Sequence, residues 1–154
     1  MNLGFKLVRI KVGRKAKIYS IRYDGEENHE FHKFVTNPDI RNHPDYEALR
    51  EKIKELHSKR GLLPQYFRPE GENHLHSDIS RIDYGFGYLR LYCIRWNDKL
   101  LILGGGGIKP KNIRFWQESP ELSSEVRNIS DAYCRIHEYL NKHKCPIEDL
   151  LEDE

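Results

Sequence analysis

A chain of 154 residues with 38% hydrophobic and 32% charged side chains is long enough for one domain with a buried core under a heavily charged surface. No apolar run reaches the ~20 residues that span a bilayer, and the opening MNLGFKLVRIKVGRK mixes charge into its apolar stretch, unlike a secretory signal. The formal net charge of +2 hides an asymmetry, because residues 146–154 hold five acids and no base and leave residues 1–145 basic, a pattern of proteins that meet polyanions.

Residues 5–23 read as two extended segments around VGRKAK, with alternation clearest in KIYSIRY. DGEEN is a turn, and HEFHKFVTN is a short helix ended by Pro38. HPDYEALREKIKELHSKRG is a helix. Pro44 suits its first position, Gly61 its stop, and Tyr46, Leu49, Ile53 and Leu56 share one stripe. LLPQYFRPEGENHLHSD is an irregular link. Three strands follow, ISRIDY, YLRLYCIRW and KLLILG, the last apolar on both faces as a central strand is, with NDK as a tight hairpin turn. Ser119 and Pro120 open a final helix carrying Leu122, Val126, Ile129, Tyr133, Ile136 and Leu140 on one stripe. This order predicts an α+β fold with helices packed against one sheet. The expected organisation is a single domain over 1–145 followed by an acidic tail, 146–154, which also has the charge to cover a basic groove in cis.

In YLRLYCIRW the period of two places Leu89, Leu91 and Cys93 on one face and Tyr88, Arg90, Tyr92 and Ile94 on the other. The first is core. The second alternates aromatic and guanidinium groups, either a surface that stacks bases and holds phosphate or an ordinary solvated face of cross-strand pairs. The glycines of LLILGGGGIKPKN match neither a Walker loop nor a dinucleotide fingerprint. They read instead as a flexible strand exit leading to Lys109, Lys111 and Arg114. His74 and His76 lack a third ligand at recognisable spacing, so no metal is expected, and acid–base work suits them better. Cys93, Cys134 and Cys145 show no CxxC spacing and leave one thiol unpaired in any disulfide scheme, which makes the cytoplasm the expected compartment.

The run SRIDYGFGYLRLYCIRWNDKLLILGGGGIKPKN between two helices resembles the RelE/ParE/HigB superfamily of bacterial toxins, in particular its HigB-like branch. The features that carry the resemblance are YLRLY, the NDK turn, LLILG and the basic IKPKNIR, over roughly residues 15–118. The resemblance implies a RelE-like antiparallel twisted sheet of about four strands with helices on one side. It implies a ribosome-dependent, metal-independent mRNA endoribonuclease that inhibits translation, with ribosome and mRNA as targets, no cofactor, and a helix-turn-helix antitoxin as partner. ParE-like relatives inhibit DNA gyrase instead, and an inert RNA- or protein-binding module of this fold is a third expectation. On the cleavage reading Arg90 binds the scissile phosphate, helped by Arg81 and Lys109, since in-line attack gathers negative charge on phosphorus oxygens. The general base stays open among His76, Tyr92 and Lys109, because arginine remains protonated at neutral pH. Lys111, Arg114, Tyr88 and Arg95 complete the expected RNA-binding set.

Overall fold

The computed structural model describes residues 3–69, 78–113 and 119–153. Elements in chain order are β1 (Phe5–Val12), β2 (Lys17–Tyr23), α1 (Glu30–Thr36), α2 (Pro38–Arg41) and α3 (Tyr46–Glu55). One π-helical turn (Leu56–Arg60) and a 3-10 turn (Pro64–Tyr66) lead into β3 (Phe67–Pro69), β4 (Ile79–Ile82), β5 (Leu89–Arg95) and β6 (Leu100–Ile108). The chain closes with α4 (Pro120–His143), a 3-10 turn (Ile147–Leu150) and β7 (Leu151–Glu152).

The seven strands form one sheet in the order β3-β4-β5-β6-β2-β1-β7. It is mixed: β2 runs parallel to β6 and β1 parallel to β7, while the remaining pairs are antiparallel. This corrects the four-stranded antiparallel sheet with helices on one side. Both faces are covered. On one, Ile18, Leu91, Cys93, Leu101 and Leu103 pack with Phe34 of α1, Ile40 of α2 and Leu49 of α3. On the other, Phe5, Leu7, Tyr19, Ile21, Tyr92, Ile94 and Ile102 pack with the apolar stripe of α4. The miss has a physical source. Parallel pairing joins β2 to a strand some eighty residues later, and neither segment carries a local signal for its partner, whereas a hairpin turn announces antiparallel neighbours.

Residues 146–153 do not hang free. Ile147 is buried in the α4-side core, β7 adds to the sheet beside Leu7 and Val8, and the Tyr19 hydroxyl donates to Asp153 (2.9 Å). Glu148 lines an open cleft with Arg14, Lys15, Lys17 and Lys99 at the end of the sheet where β6 begins. It is therefore far from Lys109 and Lys111, and does not cover them in cis. Cys93, Cys134 and Cys145 are free thiols, the first buried. No helix among the described residues is long and apolar enough to cross a membrane.

The glycine run belongs to β6 and is not a flexible exit. From Leu91↔Gly106 to Cys93↔Leu103 the register shifts by one, so Gly104 and Gly105 together oppose Tyr92 in a β-bulge. Helix α4 lies directly on this backbone. A Cβ at Gly104 would stand 2.7 Å from Ile129 Cδ1, one at Gly105 would collide with the Glu125 carboxylate, and one at Gly107 would stand 2.9 Å from Glu121 Oε1. At these three positions a helix occupies the place of a side chain, and at Gly106 the Arg90 carbonyl of β5 does.

Candidate nucleic-acid interface

The predicted site residues divide sharply. Tyr92 is wholly buried under α4, and Arg90 is 8% exposed, so the face expected to meet RNA is interior and neither residue reaches a substrate there. Arg90 instead donates from Nη1 to the carbonyls of Gly87 (2.8 Å) and Leu89 (3.1 Å). Arg81 sits opposite Tyr92 on β4, half-exposed. Arg95 is at the other end of β5, where its Nε donates to Leu62 O (2.6 Å), which takes it out of any shared surface with Lys111. His76 and Arg114 lie outside the described residues.

Tyr88, Lys109 and Lys111 do come together, at the end of the sheet where β5 begins and β6 ends. Lys109 N donates to Tyr88 O (2.7 Å), extending the β5–β6 ladder. Lys111 Nζ stands 5.5 Å from the centre of the Tyr88 ring, within cation–π range. The structure adds a residue that the sequence reading does not single out. Phe86, in the turn between β4 and β5, is 94% exposed, and its ring meets Tyr88 edge-on at 5.9 Å. The available signal is the phenylalanine between two glycines in YGFGY, since a turn has no face on which to bury it.

The turn bearing Phe86 is held from several sides. Asp45, at the start of α3, accepts the Tyr88 N–H (2.7 Å). The Tyr84 hydroxyl accepts from Leu89 N (2.9 Å) and directs its one proton toward Leu89 O (3.3 Å) and Asp45 Oδ2 (3.4 Å). A side chain at Gly87 would collide with that hydroxyl, and Gly85 takes a φ of +108° that L residues rarely adopt. Asp83 accepts from Gly85 N (3.0 Å) and from Arg68 Nε (2.9 Å). Burial alone would raise the Asp83 carboxyl, but these two donors outweigh it and hold it below the usual carboxylate range. Burial pushes the Tyr84 phenol up to about 12, so it stays protonated and able to donate at any physiological pH. Arg90 completes the set from beneath. It is a positioning residue.

No protein-family model, curated protein or solved structure matches the chain. The site is therefore read from its own chemistry: two adjacent aromatic rings, one almost fully in water on a fixed turn, with the Lys111 ammonium over one of them and the Lys109 backbone bonded beside it. Aromatic faces stack on bases of any identity, and lysines beside them neutralise phosphates.

Proposed function

We propose that this protein binds single-stranded RNA at the Tyr84–Tyr88 turn. Phe86 and Tyr88 stack bases, and Lys109 and Lys111 hold the flanking phosphates. The observation that carries the reading is the 94% exposure of Phe86 on a turn fixed by Asp45, Tyr84 and Arg90. Phe86 does not stand alone, since its ring meets Tyr88, and an aromatic pair presented on a fixed turn suits a contact. RNA cleavage is not part of the proposal, because Arg90 and Tyr92 are interior. The translational inhibition implied by the toxin resemblance then rests on occupancy of mRNA.

The test is fluorescence anisotropy with a labelled single-stranded RNA of about 12 nucleotides, which exceeds the smallest single-strand site sizes. Phe86→Ala is expected to weaken binding roughly tenfold, the stacking of one base, without moving the unfolding midpoint. Lys111→Gln should lower the slope of log affinity against log salt by about one. Unchanged affinity in Phe86→Ala/Tyr88→Ala would remove the turn from RNA binding. Expression of the wild type and of this double variant in a bacterial host then asks whether any growth arrest travels with RNA binding.

A further inference from the structure

A second site lies among α1, α3 and β1, on the helical layer whose Asp45, at the start of α3, also holds the proposed RNA-contact turn. Strand β1, helices α1 and α3 and the π-helical turn line a half-open cavity of about 380 Å³. Phe31, Phe34, Val35, Leu49 and Ile53 supply apolar walls, and Ile10 and Tyr46 extend them. Every charged side chain that reaches the cavity is basic, Lys11, Arg50 and Lys54, with the imidazole of His57 beside them. Arg50 is shared with Glu47 (3.6 Å) and Glu51 (4.0 Å) on the outer face of α3. Among the described residues neither Lys11 nor Lys54 has an ion-pair partner. His57 Nδ1 is buried without a hydrogen-bond partner. Burial holds the His57 imidazole below its usual pKa, and the charges of Lys11 and Lys54 push in the same direction, so a neutral imidazole lines the cavity together with two exposed ammonium groups.

Cations gathered at one opening without a carboxylate repel one another, and they stand over a wall of aromatic and aliphatic carbon. We propose that this cavity binds a small apolar monoanion, an aryl or alkyl carboxylate. Its hydrocarbon body lies against Phe31, Phe34 and Ile53, and its charged head sits between Lys11, Lys54 and His57. The volume is at the lower end of what a single small ligand fills. The ligand supplies the two complements that the protein itself leaves out, a negative charge for the mouth and apolar surface for the walls. The π-helical turn that follows α3 is what delivers His57 to this space.

Titration calorimetry on the full chain with 1-naphthaleneacetate and its neutral twin 1-naphthaleneacetamide tests this. The two have the same shape and differ in charge. The acid is expected to bind about tenfold tighter than the amide. Lys11→Gln/Lys54→Gln should bring the acid down to the amide's affinity and leave the amide where it was. Ile53→Trp fills the cavity and should abolish both. Because that variant rests on a packed helix, Val35→Trp fills the same space from α1, and circular dichroism with the thermal midpoint reports whether each variant is folded. Equal affinities for acid and amide, an acid affinity unmoved by the lysine substitutions, or binding that survives both tryptophan variants in folded protein would each overturn the proposal. So would the absence of binding by either compound.

Discussion

Gly104→Ala distinguishes a packed strand from a flexible exit by the sign of its effect on stability. In a loop with no neighbours, replacing glycine by alanine stabilises by roughly 0.4–1 kcal/mol, because the unfolded chain loses freedom. Gly104 is buried on β6, with no positive φ to strain a Cβ, and the new methyl would lie 2.7 Å from Ile129 Cδ1. That separation is about an ångström short of ordinary contact, so the isoleucine must leave its rotamer, at about 1–3 kcal/mol for such overpacking. The net expectation is a loss of about 1 kcal/mol, or roughly 2–4 °C in thermal midpoint for a chain of this size. The companion substitution Ile129→Val removes the offending methyl and costs roughly 0.5–1.5 kcal/mol by itself. After it, the nearest remaining atoms, Ile129 Cγ1 and Tyr92 O, stand at 3.5 Å, which is normal contact. The double variant should therefore be more stable than the sum of the single ones by about 1 kcal/mol or more, a coupling that urea unfolding resolves. A Gly104→Ala protein more stable than wild type, with no coupling to position 129, would refute the account of α4 lying flush on the glycines.

Arg90→Met should cost about 2 kcal/mol, since one buried and one part-buried carbonyl lose a charged donor, and should weaken RNA binding through a loosened turn. Unaltered stability with lost affinity would instead make Arg90 an RNA contact. Burial, reinforced by the nearby Glu30 and Glu121, lifts the Glu125 carboxyl from 4.5 to about 7 against the pull of Lys33 and a bond to Asn128. A carboxyl whose pKa rises on folding stabilises the protein below pH 4.5 and loses that contribution as pH climbs to about 7. Glu125→Gln should thus match the wild type at pH 4.5 and exceed it at pH 8. The gain, discounted for partial exposure, is about 1–2 kcal/mol, and urea midpoints across that range that differ by a constant amount would contradict it. Ile147→Ala should lose roughly 2–4 kcal/mol for an emptied core position, whereas a frayed tail would show no change.

The helices were legible because periodicity is local. Leu122, Val126, Ile129, Tyr133 and Ile136 are all buried as their stripe requires, and Tyr46, Leu49, Ile53 and Leu56 line α3 and its π turn. Pro38 ends one helix as expected, and it also serves as the first residue of the next. Face assignment on β5 was legible too: Leu89, Leu91 and Cys93 share one core and Tyr92 and Ile94 the other. What alternation cannot encode is whether the second face meets water or a helix, because tyrosine and arginine have carbon enough for either. The acids of Glu121 and Glu125 are likewise silent in sequence until α4 sets them over Gly107 and Gly105. The pairing of β5 with β6 was legible from the NDK turn, and that pairing is what sets Lys111 beside Tyr88. The glycines of YGFGY hint at the exposure of Phe86, but the fixing of its turn was not legible, since it depends on Asp45, far away along the chain.

The two surprises of β5 and its turn explain one another. Arg90 gives up solvent to hold Gly87 and Leu89, and Phe86 gives up burial to stand in water one residue before Gly87. In a loose turn the phenyl ring would settle on the nearest apolar surface and recover part of its transfer free energy. Here the flanking glycines offer no side chains to cover it, Tyr84 already occupies the space at Gly87, and Tyr88 meets it only edge-on. A ring fixed in this way loses little further freedom when a base stacks on it, so the stacking energy reaches the binding constant nearly undiminished. It follows that Phe86 and Arg90 separate by experiment: the first substitution should touch affinity alone, the second affinity and stability together.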